Sequence, residues 1–290
     1  MSLTRLSEIV LDGAARLRRG PGLDGTQQER ARQDAEMLLL SILGKNKAWL
    51  MAHGEEELPG EQQMRYAELL ERRLKGEPIQ YITGETEFYG LPFRVMRDVL
   101  IPRPETEHLV EKTIELAPLF PRPRIVDVGT GSGAIAVALA HEWPLAAITA
   151  IDLSASALEI ARGNAERCGF ANRIRFLEGD LLEPVAGERF EFVVSNPPYV
   201  PEGDRATLSV EVRDYEPEMA LFAGGDGLEV YRRLIPAAFD ALTPGGFVIL
   251  EIGYGQSPAI TELLRGSGFE QIEFVPDLQG IPRVVCARRP

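Results

Sequence analysis

Ile125-Val126-Asp127-Val128-Gly129-Thr130-Gly131-Ser132-Gly133-Ala134 is the stretch on which the fold turns. An apolar strand, Ile125–Val128, runs straight into three alternating glycines, and Ala134–Ala140 then reads as a helix. Glycines allow positive φ and let backbone approach a ligand closely. The helix start behind them presents N–H groups without intrahelical partners. Asp152 ends the next strand, Ala147–Ile151. About twenty residues past such a loop, a carboxylate can accept hydrogen bonds from the ribose hydroxyls of an adenosine. Strand, glycines, helix and distal acid together predict an adenosine-containing cofactor lying across the carboxyl ends of the strands.

The spacing alone leaves three readings open: S-adenosylmethionine, a dinucleotide and a structural turn. Gly129-x-Gly131-x-x-Ala134 also fits the dinucleotide fingerprint. Asp127 favours S-adenosylmethionine. An acid just before the glycines suits the amino group of a methionine moiety, whereas it repels a pyrophosphate. After the third strand, Ile174–Leu177, Asp180 is placed to accept from an adenine amino group and Leu181 to lie against the adenine face. A loop acid capping a turn is the plainer reading of Asp180. The cofactor candidates are therefore Asp127, Gly129, Thr130, Gly131, Ser132, Gly133, Asp152, Asp180, Leu181 and Asn196, the last introduced below.

Outward from this loop, strands alternate with helices to the end of the chain. The strands are Ile125–Val128, Ala147–Ile151, Ile174–Leu177, Phe190–Ser195 and Gly246–Ile252, with helices Ser154–Cys168, Leu228–Leu242 and Ser257–Ser267 between or after them. That alternation predicts an α/β fold, a mostly parallel Rossmann-like sheet with helices on both faces. The runs Phe269–Val275 and Arg283–Ala287 predict one antiparallel strand at the sheet edge.

Upstream, the pattern is helical. Leu6, Ile9, Val10, Ala14 and Leu17 recur at helical spacing, as do Ala35, Leu38, Leu39 and Ile42 behind an expected cap at Thr26 with Glu29. A third helix from Gly60 to Lys75 would turn Met64, Ala67, Leu70 and Leu74 inward. Ile79–Thr83, Thr86–Tyr89 and Leu91–Val95 read as extended segments of a hairpin-like connector. Pro104 suits a helix first turn, with acids after it. The domains expected are 1–76, a small helical bundle, 77–100, a β-hairpin linker, and 101–290, the α/β domain.

Composition narrows the classes. With 44% hydrophobic and 26% charged residues the chain reads as globular. Its apolar runs fall well short of the roughly twenty residues a membrane span needs. Two cysteines supply neither a disulfide framework nor a four-ligand zinc site. His53, His108 and His141 are dispersed away from the motifs, so no metal is expected. Met1–Arg19 does not show the pattern of a secretory leader, which points to the cytoplasm. A net charge of −13 disfavours a partner held through phosphates and suits a neutral or basic protein.

Ser195-Asn196-Pro197-Pro198-Tyr199 carries the sharpest chemical signal, because it falls at the carboxyl end of the fourth strand, beside the expected cofactor crevice. Two prolines end the strand, stiffen the loop and leave neighbouring carbonyls without competing local donors. The NH₂ of an amide or aromatic amine is a poor nucleophile, since its lone pair is delocalised. Two fixed acceptors, the Asn196 side-chain oxygen and the Pro197 carbonyl, can each take one of its hydrogens and aim the lone pair at a methyl carbon. Their bonds strengthen as the nitrogen gains positive character. Pro198 and Tyr199 complete the loop, Tyr199 able to lie flat on a planar group. A turn that merely ends a strand is the bland alternative.

On these residues the sequence resembles class I S-adenosylmethionine methyltransferases of the Asn-Pro-Pro-Tyr type. More narrowly it is similar to the protein-(glutamine-N5) methyltransferases that modify peptide chain release factors, the HemK/PrmC family. Beyond the two motifs, the likeness runs through Gly76–Gly84, Phe88-Tyr89-Gly90, Ile101–Glu107, Tyr215-Glu216-Pro217 and Gly224–Leu228. The resemblance implies a seven-stranded methyltransferase domain joined by a β-hairpin to a helical domain that grips the substrate. It implies methyl transfer to the glutamine of a release factor's Gly-Gly-Gln tripeptide, held by Asn196, Pro197, Pro198 and Tyr199. It also suggests places near the site for Phe88, Arg103, Glu105 and Thr106. The competing readings are methylation of a ribosomal-protein glutamine or a nucleic-acid amino group, a dinucleotide-dependent oxidoreductase, and a non-catalytic binding module.

Overall fold

Hydrophobic spacing in the first part of the chain is realised as helices. A computed structural model describes residues 4–20 and 22–290. It places α1 at Leu6–Leu17, α2 at Gly25–Glu29, α3 at Ala31–Leu43, α4 at Lys47–His53, α5 at Gly60–Leu74 and α6 at Ile79–Thr83, with β1 (Thr4–Arg5) paired to β2 (Glu57–Leu58). Leu6, Ile9, Val10, Ala14 and Leu17 are all buried, in one core with Ala35, Leu38, Leu39 and Leu70.

Three details depart from the sequence reading. The cap is Asp24, not Thr26: its carboxylate accepts the Gln27 N–H while the Gln27 side chain accepts the Asp24 N–H, both at 2.9 Å. Asp is the stronger cap, and its reciprocal partner stands three residues on. On α5, Leu70 is buried as expected, but Met64 and Ala67 are exposed, and Tyr66 and Arg73 are buried in their place. Arg73 can be buried because its Nε donates to Asp34 at 2.7 Å and its Nη1 to the Glu77 carbonyl at 3.0 Å. Ile79–Thr83 is a helix rather than a strand. Pro78 precedes its first turn, Gly84 at φ 79° ends it, and Ile79 and Ile82 bury in the helical core. Tertiary burial overrides the β preference of this run.

Downstream, β3 (Glu85–Phe88) and β4 (Leu91–Arg94) form a hairpin turned by Tyr89 and Gly90 at φ 52° and 70°. Two left-handed residues give the twist that a tight hairpin needs. A short turn at Pro104–Thr106 leads into α7 (Glu107–Glu115). Then follow β5 (Arg124–Val128), α8 (Ala134–Glu142), β6 (Ala147–Asp152), α9 (Ala155–Arg167), β7 (Ile174–Glu178), β8 (Phe190–Ser195) and α10 (Val210–Tyr215). The chain ends with α11 (Glu229–Ala241), β9 (Leu242–Glu251), α12 (Ser257–Gly266), β10 (Glu270–Pro276) and β11 (Pro282–Arg288).

Seven strands form one sheet in the order β10-β11-β9-β8-β5-β6-β7. The ladders from β9 through β7 are parallel. The antiparallel strand is β11, and it does not lie at the edge: it inserts between β9 and β10. Val284, Val285 and Ala287 of β11 are fully buried, which an edge position would not provide. Helix α8 is apolar on every side, and Ala134–Ala140 are all buried, as such a helix requires. The strand order reverses on either side of β5, which makes the carboxyl ends of β5, β6 and β8 the place for a ligand.

The chain divides into two compact units, Met1–Glu85 with Thr207–Tyr215 and Thr86–Ala206 with Glu216–Pro290. Helix α10 therefore belongs to the helical unit, where Glu211 pairs with Arg73 and the Tyr215 hydroxyl donates to the Lys75 carbonyl at 3.1 Å. Among the described residues no helix is long and apolar enough to cross a membrane.

Candidate active site

A cavity of about 240 Å³ opens at the carboxyl ends of the strands, walled by Val128–Ser132 after β5, Ile151–Ser154 around the end of β6, Gly179–Leu181 after β7, and Asn196 and Pro198 after β8. Gly129 and Gly131, at φ 71° and 54°, have open space where a Cβ would stand. Gly133, at φ 83°, has Ala161 of α9 within 3.1 Å of that position. The first two glycines thus leave room for a ligand, and the third lets the α8 start pack on α9.

The loop is held from beneath. The Gly129 and Thr130 N–H groups both donate to the Ile151 carbonyl, at 2.8 and 2.9 Å. The Gly131 N–H donates to Asp152 Oδ2 at 2.8 Å, and the Ser154 N–H to Asp152 Oδ1 at 2.9 Å. These loop amides fix the glycine turn to β6 rather than facing a ligand freely. Burial raises the Asp152 carboxyl, against the pull of those same N–H groups. Buried Asn164 of α9 adds a second anchor, donating to the Ser132 carbonyl at 2.8 Å.

Asp127 lies under the loop and is not part of the cavity wall. It is fully buried, and Oδ2 accepts the Thr130 hydroxyl at 2.6 Å. Its Oδ1 has no hydrogen-bond partner among the described residues. Burial pushes the carboxyl up to about 7, the Thr130 hydroxyl opposing and the negative Asp152 adding to the rise. A buried, unsatisfied carboxylate oxygen next to a cavity is what a cationic amino group would satisfy. Asp180 does line the cavity, but its carboxylate also forms an ion pair with Arg233 of α11. Leu181 lines it too and is held at φ 50°, a strained conformation for a leucine that presents its side chain to the cavity.

At the end of β8 the Ser195 hydroxyl donates to the Val128 carbonyl at 2.6 Å, and the loop's far side is tied down where the Val200 N–H donates to the Leu221 carbonyl at 2.9 Å. Asn196 Nδ2 donates to Thr106 Oγ1 at 3.2 Å, and the Thr106 hydroxyl donates to Glu251 Oε2 at 2.5 Å. The Tyr199 hydroxyl donates to Glu251 Oε1 at 3.3 Å. With its NH₂ committed to Thr106, the Asn196 amide keeps its oxygen for an incoming donor. Pro197 is buried, and neither it nor Tyr199 is part of the cavity wall.

The remaining sequence candidates divide. Thr106 lines the cavity and bonds Asn196. Arg103 donates to the buried Glu216 at 2.6 and 2.7 Å. Glu105 is half-buried, with its charge felt at Glu251. Phe88 is not at the site: it is 1% exposed and packs edge-on against Phe93 in the core. Sequence reasoning missed Asp98–Leu100, Pro217, Met219, Val230 and Arg233 on the wall, and Glu251 and Gln256 behind it. The quoted Ile101–Glu107 and Tyr215–Pro217 segments flank several of these, but nothing local marks Glu251.

A glycine cradle with a distal acid, on this sheet, beside an Asn-Pro-Pro-Tyr corner, defines a methyltransferase whose methyl donor is S-adenosylmethionine. Residues 106–213 match the Methyltransferase small domain, and residues 23–84 match the PrmC N-terminal domain. Over 269 residues the chain is 45% identical to the release factor glutamine methyltransferase of Koribacter versatilis, covering 92% of this chain and 95% of that one. Over 285 residues it is 41% identical to the release factor glutamine methyltransferase of Deinococcus radiodurans, covering 98% and 99%. A methyltransferase structure from Pyrococcus furiosus shares the fold, with a TM-score of 0.52 at 22% identity over 69% of this chain and 89% of that one. The chain belongs to the release factor glutamine methyltransferase family.

Proposed function

We propose that this protein methylates the side-chain amide nitrogen of the glutamine in the Gly-Gly-Gln tripeptide of peptide chain release factors, and so modulates translation termination. The observation that supports this most directly is the orientation of Asn196: its Nδ2 is used by Thr106, so its Oδ1 is left to accept an amide hydrogen. S-adenosylmethionine supplies an electrophilic methyl group on a sulfonium. Gly129–Gly133 and Asp152 hold its adenosine and methionine parts, Asp127 Oδ1 balances its amino group, and Asp180 and Leu181 face its adenine. Asn196 Oδ1 and the Pro197 carbonyl each take one hydrogen of the glutamine NH₂, while Pro198 and Tyr199 confine the planar amide. The attacking nitrogen becomes cationic in the transition state, so these two acceptors bind it more strongly there than in the ground state. The proton it then sheds is acidic enough to leave without a strong base.

The helical segment 1–76 grips the release factor, 77–100 links, and 101–290 carries the chemistry. The protein works in the cytoplasm without membrane or direct nucleic-acid contact, in keeping with its charge of −13. Mass spectrometry of a release factor incubated with enzyme and S-adenosylmethionine tests this: one added methyl on the tripeptide glutamine is expected. Asn196→Ala should abolish transfer while the fold and adenosylhomocysteine binding survive. Full activity in that variant overturns the mechanism.

A further inference from the structure

Glu251 ends β9 and is 2% exposed. It forms no ion pair among the described residues, although an unpaired buried carboxylate is costly to keep. Its carboxylate instead gathers two arms of the Asn196 corner, Thr106 at 2.5 Å and Tyr199 at 3.3 Å. Its main-chain carbonyl accepts the Tyr231 hydroxyl at 2.6 Å. We propose that Glu251 is a positioning residue which, through the Thr106 hydroxyl, sets which end of the Asn196 amide faces the cavity. The inference rests on the amide-methylation reading above.

Thr106 has one hydroxyl proton. An ionised Glu251 can only accept, so Thr106 gives that proton to Glu251. The Thr106 oxygen can then only accept from Asn196, which turns Nδ2 inward and Oδ1 towards the substrate. A protonated Glu251 reverses each step: it donates to Thr106, Thr106 donates to Asn196 Oδ1, and Nδ2 turns outward. A donor then meets a donor, and the glutamine NH₂ loses one of its two acceptors.

The charge state of Glu251 therefore gates the corner. Burial raises its carboxyl to about 7, against the hydrogen bonds from Thr106 and Tyr199; Glu105 adds to the rise and Arg103 opposes it. The groups around it are Arg103, Glu105 and Thr106 before α7, Asn196 and Tyr199 after β8, Tyr231 of α11, and Arg283 of β11. The form that orients Asn196 productively is the ionised one, so activity is present above the folded pKa and lost as pH falls through it.

The test uses the full chain with a release factor as acceptor and cofactor at saturation, so that titration of Asp127, which acts on cofactor binding, does not enter kcat. Wild type should show an acid limb in kcat lying above the ordinary carboxylate range, in the direction that burial moves Glu251. Glu251→Gln keeps an acceptor oxygen and cannot ionise, so the limb should vanish, with kcat at pH 8 reduced by no more than about tenfold. Thr106→Val removes the relay hydroxyl and keeps the shape. It should lower kcat by about 10²-fold, with acceptor KM and adenosylhomocysteine Kd each changed by less than about threefold. Thr106→Ser should restore most of the rate. An acid limb that persists in Glu251→Gln, or a wild-type kcat in Thr106→Val, overturns the proposal. A wild-type enzyme that puts no methyl on the release-factor glutamine overturns instead the reading on which it rests.

Discussion

Gly227 does not line the cavity, yet replacing it with alanine should disable the Asn196 corner. Its φ is 73°, and a Cβ there would stand 2.3 Å from the Tyr199 carbonyl oxygen, 2.9 Å from Gln256 Nε2 and 3.1 Å from Pro201 Cδ. Gln256 Nε2 currently ties the two strands of this contact together, donating to the Tyr199 carbonyl at 3.0 Å and the Gly227 carbonyl at 3.3 Å. The left-handed backbone costs an alanine about 1–2 kcal/mol. The clash is with a main-chain atom, which cannot rotate away, so the Tyr199 carbonyl must retreat about 0.7 Å simply to reach a 3.0 Å separation. Losing the Gln256 bond in that movement costs about 0.5–1.5 kcal/mol more. Gly227→Ala should therefore lose about 1.5–3.5 kcal/mol of stability, or about 3–14 °C in Tm for a unit of this size. A displacement approaching 1 Å at a positioning loop lowers kcat by about 10²-fold. The glycine cradle is anchored to β6 and not to this turn, so adenosylhomocysteine affinity should stay within about threefold of wild type. Steady-state methyl transfer, calorimetric titration and thermal melting read the three quantities. A variant with wild-type kcat refutes the claim that the corner is held to sub-ångström tolerance. Loss of adenosylhomocysteine binding in step with kcat refutes the claim that the damage is confined to it.

Three further outcomes follow from the same geometry. Asp152→Ala removes the carboxylate that accepts the Gly131 and Ser154 N–H groups, so adenosylhomocysteine Kd should rise by about 10–100-fold by calorimetry; an unchanged Kd would separate Asp152 from the cofactor. Asp127 has an ordinary value of 3.8 and a folded value of about 7, so between those pH values the folded state holds a proton that the unfolded chain has released. Its contribution to stability is then full below the unfolded value and lost as pH rises through the folded one. Relative to Asp127→Asn, wild type should lose unfolding free energy from pH 5.5 to 8 in urea titrations, and a flat difference would show that Asp127 is not buried as described. Arg73→Leu leaves Asp34 buried and both Asp34 and Glu211 uncompensated, and should cost the helical unit about 3–5 kcal/mol, partly recovered by adding Asp34→Leu; a loss under about 1 kcal/mol would contradict a buried ionised pair.

What could be read from the chain was whatever depends on local backbone chemistry. Gly129, Gly131 and Gly133 announce a loop of positive φ, and all three adopt it. Pro197 and Pro198 announce the end of a strand, and β8 stops at Ser195. What escaped was decided by partners far along the chain. Ile79–Thr83 reads as extended by residue type, but burial of Ile79 and Ile82 in the helical core makes it a helix. Arg73 is not among the inward residues read on its helix, and its burial depends on Asp34 and Glu211, which come from distant segments to compensate its charge. The two terminal runs read as one antiparallel strand at the sheet edge, but the antiparallel strand is β11, one place in, with its apolar Val284 and Val285 buried between β9 and β10. The Asn196 corner shows why a motif alone cannot specify a mechanism. An amide has a donor end and an acceptor end, and the residue name is the same whichever one works. Thr106 stands 90 residues from Asn196, and Glu251 a further 145 from Thr106. Only when the fold brings them together does the donor count along that line give the amide a direction, and with it a preference for a substrate that donates.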